Sequence, residues 1–153
     1  MKLFLAVFGK AGSPFVSDEV ARYVKRLKGS ASPLVVVELK ESKRDDKLKA
    51  LAEEAELFEK RFPKKDFVRV ILSEEGKLMA TVPLARWIEQ KSASNIVFLI
   101  GSAYGIDEKL KASANLLLSL SPLTFTHDHA RVIAAEQLYR CVMVLAGHPY
   151  HHV

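Results

Sequence analysis

Five short apolar runs, each followed by a segment with helical periodicity, limit the folds open to this chain of 153 residues more than any other feature. The runs are apolar almost throughout rather than at alternate positions, which is typical of strands covered on both faces. Strand and helix alternating in this way predict an α/β fold with a parallel sheet and helices on both of its faces. The predicted strands are Leu3–Phe8, Leu34–Leu39, Phe67–Leu72, Ile96–Ile100 and Leu116–Leu120.

Helices are predicted between the strands and after the last one. The first spans Pro14–Lys28, because Ser13 can cap it, proline suits a first turn and Gly29 is a stop signal. The remaining helices are predicted at Asp46–Phe62, Val82–Gln90, Asp107–Ala114 and Asp128–Ala146. In the second helix, apolar residues at helical spacing are predicted to face the core, namely Leu48, Leu51, Ala55 and Phe58.

The composition indicates one soluble domain with enough apolar material, 49% of residues, for a single core. No apolar run approaches the roughly 20 residues that span a membrane, and the start of the chain does not resemble a secretory signal. Cys141 is the only cysteine, so an internal disulfide is impossible. That pattern fits the reducing cytoplasm, and the position of Cys141 in a helical apolar pattern predicts a buried thiol.

The net charge of +5 is concentrated near the start of the chain. Residues 1–30 carry six basic side chains against Asp18 and Glu19. Three of the basic residues, Arg22, Lys25 and Arg26, are three and four positions apart and therefore form one ridge on the first helix. A local surplus of this kind favours a polyanion partner, while a solvated helix face is the alternative interpretation.

Three predicted strands end in segments of unusual composition, which are Leu72–Lys77, Gly101–Gly105 and Leu120–Phe125. Open α/β sheets bind ligands at the carboxyl ends of their strands, so these segments predict one shared site. The glycines follow neither the GxGxxG order nor the Walker A pattern, which disfavours a phosphate cradle. A glycine at a strand end instead lets a flat ligand such as adenine approach the backbone, although a simple turn is the commoner explanation.

Metal and hydrolase chemistry find little support. The histidines cluster at 127–129 and 148–152, but no HExxH pattern or cysteine ligand accompanies them, and no metal is predicted. Ser121 lacks a nucleophile-elbow context, so a hydrolytic triad is unsupported. Arg131 stands near a predicted helix start, where the helix dipole disfavours a cation, which raises the chance that an anion lies beside it.

Several stretches occur together in a specific order. They include Phe98–Gly101 with Gly105, Leu118–Phe125, Glu136–Arg140 and Pro149–His151. In these stretches the sequence resembles the RlmH family of SPOUT-class methyltransferases, which modify pseudouridine in 23S ribosomal RNA. The resemblance covers essentially the whole chain and implies a single SPOUT domain at residues 1–153.

The resemblance implies a deep trefoil knot around a site for S-adenosylmethionine. It also implies a homodimer in which the partner's C-terminal tail completes each site. Carried over by position, the cofactor contacts are mostly backbone groups around the adenosyl moiety. They are expected at Leu72, Gly101, Leu120, Ser121, Pro122, Leu123, Thr124 and Phe125.

Methylation at N3 of the base requires the imide proton to leave, and the candidates for this chemistry are His127, Arg131 and His151. Which of them acts as the base stays open. RNA or the whole ribosome is the expected substrate, with neither DNA nor a membrane as partner. The expected RNA contacts are Arg22, Lys25, Arg26, Arg131, Tyr150 and His151.

Two departures from the family pattern bear on the cofactor. The family commonly has an acidic residue where this chain has Ser73, and a second glycine where it has Ser102. A Cβ at position 102 would lie close to the expected adenine slot and would alter cofactor affinity. Two other functions therefore stay open, a knotted methyltransferase acting on tRNA and a non-catalytic RNA-binding or ribosome-assembly protein.

Overall fold

A computed structural model, which describes residues 1–152, has one five-stranded sheet within that range. All neighbouring strands are parallel, and their spatial order is β2-β1-β4-β3-β5. The first, second, fourth and fifth strands match the predicted ones to within one residue at each end. The strands are β1 (Leu3–Phe8), β2 (Leu34–Leu39), β3 (Phe67–Leu78), β4 (Asn95–Ile100) and β5 (Leu116–Ser119).

Five helices lie within residues 1–152, and all of them were predicted, with ends that differ by at most two residues. Differences of this size are within the ordinary scatter of helix boundaries. The caps are local, because the side chains of Ser13, Asp46 and Thr126 each accept a backbone N–H from the first turn that follows. The helices are α1 (Pro14–Leu27), α2 (Lys47–Arg61), α3 (Thr81–Gln90), α4 (Glu108–Ala112) and α5 (His127–Leu145).

Helices cover both faces of the sheet, as predicted. On one face α1, α3 and α5 pack together, and Val20, Leu84 and Leu138 belong to one core cluster with strand residues. On the other face, Phe58 of α2 and Leu110 of α4 pack against a second set of strand residues. The sheet is therefore buried on both sides, which explains the continuous apolar runs.

The prediction that β3 ends at Leu72 was wrong, because the strand continues to Leu78. The register with β5 shifts within it, so that Leu118 pairs with Leu72 and again with Lys77. The four residues between these pairs form a bulge. Gly76 makes the return possible, since a Cβ there would lie 2.6 Å from the backbone of Leu118. The apparent loop is thus an excursion inside a strand.

The inward face of α2 also differs from the prediction. Leu48 is 77% exposed, because it lies in the first turn and does not reach the core cluster of this layer. The buried side chains of the helix are instead Ala50, Leu51, Glu54 and Phe58. A carboxylate therefore faces inward where the apolar periodicity indicated only hydrophobic packing.

Arg69 in β3 anchors the C-terminal end of α2. Its side chain is 1% exposed, its Nη1 donates to Glu59 at 2.8 Å, and its Nε donates to the carbonyl of Phe62 at 2.9 Å. A buried guanidinium is tolerated only with such partners. This bond set holds α2 against the sheet.

Within residues 1–152, no helix is both long and apolar enough to cross a membrane.

Cys141 is buried in α5, as predicted, and burial raises the pKa of its thiol to about 12. Iodoacetamide should therefore leave the native protein unmodified and alkylate the denaturant-unfolded chain, as followed by intact mass. Because the folded pKa lies above the ordinary 9.0, this thiol should favour the folded state below pH 9.0 and lose that contribution as pH rises further. Fast labelling of the native protein would contradict the buried position.

Candidate functional site

The three segments of unusual composition meet at one cavity of about 570 Å³, which lies beside the bulge of β3 and the carboxyl ends of β4 and β5. The β3 bulge, the segment after β4 and the segment after β5 each contribute to its wall. Pro122 does not line the cavity. The other residues predicted to contact the cofactor do, and they are Leu72, Gly101, Leu120, Ser121, Leu123, Thr124 and Phe125. The fold thus brings these residues together, while their contact with a cofactor stays a prediction.

The segment after β4 folds back on itself. The N–H of Gly105 donates to the carbonyl of Ser102 at 2.9 Å, and Gly105 has a φ of +92°, which favours glycine. A Cβ on Gly101 would lie 2.5 Å from the carbonyl oxygen of Gly105. Glycine at position 101 is therefore required by the path of the segment itself.

Ser102 directs its hydroxyl at the carboxylate of Glu54, and the Oγ–Oε1 distance is 2.6 Å. Both residues are buried, with Ser102 8% and Glu54 4% exposed. The second carboxylate oxygen of Glu54 accepts the N–H of Ser42 at 3.3 Å. A buried hydrogen bond to a carboxylate is among the stronger ones, so α2 holds the cavity wall in place. The sequence analysis did not predict this pair. Glu54 lies three residues after Leu51 on the same helix, and this spacing was the available signal that its side chain faces inward.

The segment between β5 and α5 is shaped by short serine bonds. The hydroxyl of Ser119 donates to the carbonyl of Ser121 at 2.9 Å, and the Ser121 hydroxyl accepts the N–H of Leu123 at 3.0 Å. Small polar side chains of this kind stabilise a turn through their own backbone. The turn contributes Ser121, Leu123 and Thr124 to the cavity wall.

Acidic side chains stand at the cavity wall. Thr124 donates to Glu74 at 3.0 Å, which joins the segment after β5 to the β3 bulge. Glu75 lies 3.5 Å from the amine of Lys111. Glu74 follows directly after Ser73, so the bulge supplies a carboxylate one position beyond the place where the resembling family commonly has one.

The first turns of α5 separate two of the predicted catalytic candidates. His127 lines the cavity. Arg131 is 3% exposed and belongs to a different cavity, where its Nη1 donates to Glu38 at 2.6 Å and its Nη2 to the carbonyl of Gly9 at 3.0 Å. The anion expected beside this arginine is therefore Glu38 of the same chain. A direct role of Arg131 in catalysis or RNA binding stays a prediction.

The C-terminal tail packs on α5 of its own chain. The rings of Tyr150 and Tyr139 pack edge to face, with their centroids 4.7 Å apart. The Arg140 guanidinium lies 5.1 Å from the Tyr150 ring centroid. Arg140 also lies 3.3 Å from Nδ1 of His151. Neither Tyr150 nor His151 lines the cavity with His127, so one chain alone does not assemble all the predicted residues.

The predicted basic ridge on α1 is exposed, as expected. Arg22 is paired with Glu19, which raises the pKa of the guanidinium, chiefly through their hydrogen bond. Arg26 lies over the ring of Tyr139 at 5.7 Å. RNA contact by Arg22, Lys25 and Arg26 stays a prediction. Among residues 1–152, no group of three potential metal ligands comes together.

The known proteins that this chain resembles are methyltransferases. A family described as predicted SPOUT methyltransferase matches residues 1–151. A ribosomal RNA large subunit methyltransferase H of Gloeobacter violaceus is 37% identical over 153 residues, covering 99% of each chain. The protein of the same name from Synechococcus sp. is 41% identical over 151 residues, or 98% of this chain and 94% of that protein.

A solved structure shares the fold. It is that of a probable methylase family protein from Haemophilus influenzae, with a TM-score of 0.58 and 12% identity over 99% of this chain and 70% of that one. At this identity the likeness shows the fold alone. The sequence matches go further, because they extend over nearly the full length of the chain and of its relatives. The chain therefore belongs to the SPOUT methyltransferases, within the ribosomal RNA large subunit methyltransferase H family.

Proposed function

We propose that the chain is an S-adenosylmethionine-dependent methyltransferase that acts on N3 of a pseudouridine in 23S ribosomal RNA. We further propose that residues 1–153 form one catalytic domain that works in the cytoplasm. The observation that carries the proposal is the cavity beside the β3 bulge and the carboxyl ends of β4 and β5. Its wall is built from the segments to which the family resemblance assigns the cofactor, and the curated relatives are named for the same reaction class.

The cavity fits this cofactor in size and in chemistry. A volume of about 570 Å³ lies in the range of small-molecule sites. Leu72, Leu120 and Ile106 offer apolar surface to a flat adenine, while Glu74 and Glu75 place negative charge beside a cofactor that carries a sulfonium cation. When bound, S-adenosylmethionine supplies a methyl group that is already activated. The protein then has to orient the acceptor base and take up its proton.

His127 is the candidate for proton uptake that lies at the cavity of its own chain. His151 is the second candidate, and Tyr150, whose ring packs against Tyr139 and Arg140, is the candidate for stacking on the base. Arg131 would act indirectly, because its bonds to Glu38 and Gly9 hold the start of α5 in place. In this arrangement the base has to leave its helix to reach the cofactor, as in other enzymes that modify bases.

We propose that the site is completed in a homodimer. Tyr150 and His151 pack on α5 and do not line the cavity of their own chain, which is consistent with the partner's tail that the family resemblance implies at each site. We also propose that the segment at residues 120–126 and α5 form the trefoil knot of this class. A knot would explain why that segment is fixed by Ser121 and by the Thr124–Glu74 bond rather than left free.

A mixing experiment tests the shared site. Tyr150→Ala should disable the tail and Gly101→Val the cavity, so each homodimer should be inactive. Mixed after brief denaturation and refolding, the two variants should recover about a quarter of wild-type methyl transfer, since half of the dimers would hold one intact site. Each variant is first shown to sediment as a dimer. No recovery from such dimers would contradict the shared site.

Calorimetric titration with S-adenosylhomocysteine tests the cofactor site. We expect saturable binding near one per chain, because the cavity lies within each chain. Absent binding by folded protein would contradict the enzyme and favour the non-catalytic RNA-binding alternative. Methyl transfer to purified tRNA, with none to ribosomes lacking the modification, would favour the tRNA alternative.

The Ser102–Glu54 bond gives a sharper prediction about the same cavity. Ser102→Ala should weaken S-adenosylhomocysteine binding about three- to tenfold, because it releases the cavity wall and leaves a buried carboxylate short of a partner. Glu54→Gln keeps an acceptor oxygen and should bind nearly as wild type. In enzyme assays, the alanine variant should raise the KM for the cofactor more than it lowers kcat.

Phe58→Leu is the matched control for this prediction. Phe58 is fully buried on the same helix as Glu54 but does not line the cavity. The control should lower the thermal unfolding midpoint while leaving cofactor affinity unchanged. Wild-type affinity in Ser102→Ala would show that the bond does not position the site.

A further inference from the structure

A second cavity, of about 1030 Å³, lies between α1 and β2. β2 is one of the two edge strands of the sheet, so this cavity is a groove along one side of the fold. One face of α1 forms one wall, including Val20 and Val24, and Leu34 and Val36 of β2 form the other. The stretch that follows β1 closes one end.

The charges that line this groove are strongly unbalanced. Lys10, Lys25, Lys28 and Arg131 are basic, and Glu38 is the only acidic residue that lines it. Glu38 is already paired with Arg131 at 2.6 Å. Within residues 1–152, none of the three lysine amines has a carboxylate within 4.0 Å. The groove therefore presents three lysine charges that this part of the chain leaves uncompensated.

The groove adjoins the cofactor cavity through the start of α5. His127 lines one cavity and Arg131 the other, and four residues of helix advance by roughly 6 Å. The N–H of Gly12, at the end of the groove, donates to Asp128 of the same helix turn at 3.0 Å. The two cavities are thus neighbours on either side of a fixed helix start.

Their charges are opposite in sign. Glu74 and Glu75 against Lys111 give the cofactor cavity an acidic balance, which suits a cationic ligand. The groove has a basic balance, which suits a polyanion. Arg131 adds a buried Nε–H that has no partner within the described residues. A polyanion that lay in the groove would pass next to the methyl donor.

We propose that this groove binds the phosphodiester backbone of the RNA strand that delivers the target base to the cofactor cavity. Lysine amines contact phosphates as point charges and do not select sequence. The half-buried side chains of Val24 and Val36 offer apolar surface to the faces of sugars and bases. The inference rests on the proposed function, since it presumes an RNA substrate at the adjoining cavity.

The test is a triple variant, Lys10→Gln, Lys25→Gln and Lys28→Gln, titrated against a fluorescein-labelled oligouridylate by anisotropy over a series of KCl concentrations. Loss of three phosphate contacts should weaken binding about tenfold or more at low salt and reduce the slope of log K against log salt by about two. S-adenosylhomocysteine affinity should stay at the wild-type value.

A second triple, Lys49→Gln, Lys60→Gln and Lys64→Gln, is the matched control. It also takes the net charge from +5 to +2, but Lys49 and Lys60 are exposed on α2 and Lys64 follows that helix, on the opposite face of the sheet. It should retain most of the RNA affinity. If the two triple variants lost equal RNA affinity, the effect would be one of net charge alone, and the proposed RNA-binding groove would be overturned.

Other outcomes separate this inference from the proposed function. Unchanged RNA binding in the groove triple, with wild-type cofactor binding intact, would overturn the groove alone. A groove triple that instead lost its dimeric sedimentation would show that a second copy of the chain occupies the groove, which would also overturn it. Absent cofactor binding in the wild type would remove the proposed function itself.

Discussion

The ion pair between Arg131 and Glu38 ties the start of the last helix to β2, and that helix start lies between the two cavities. The guanidinium also donates to the carbonyl of Gly9, so one side chain joins α5 to the ends of β1 and β2. A buried arginine without such partners would carry a large desolvation cost, and removing one partner is far more damaging than the net value of the pair. The bonds of Arg131 to Glu38 and Gly9 therefore fix the start of α5. The first turn of this helix separates the two cavities.

A division of charge follows from this boundary. On one side, Glu74 and Glu75 lie at the wall of a cavity that is otherwise lined mainly by apolar and small polar residues. On the other, lysines border an apolar groove beside the edge strand. Fixed charges of opposite sign on neighbouring surfaces favour a cationic cofactor and a polyanionic substrate at different places. Under the proposed function, neither ligand competes for the surface of the other, and their reactive parts meet beside the start of α5.

The helices and most of the strands were predictable from local sequence. Buried parallel strands appear as continuous apolar runs, and helices appear as apolar residues at helical spacing with capping residues at their ends. The extension of β3 was not, since it depends on Gly76 lying against the backbone of Leu118, a contact between distant segments. The inward position of Glu54 was hidden for the same reason, because its partner Ser102 is 48 residues away. Arg131 was predictable only in part. Its place near a helix start predicted a nearby anion, but the sequence did not reveal that Glu38 supplies this anion.

Nucleoside mass spectrometry of large-subunit RNA tests the central claim most directly. Ribosomes that lack the modification are incubated with the protein and isotopically labelled S-adenosylmethionine, and their RNA is digested to nucleosides. We expect labelled N3-methylpseudouridine in 23S RNA. We also expect that the groove triple, Lys10→Gln, Lys25→Gln and Lys28→Gln, forms this product more slowly than the control triple on and beside α2. A folded protein that binds S-adenosylhomocysteine yet places no label in 23S RNA, or places it on another base, would contradict the account.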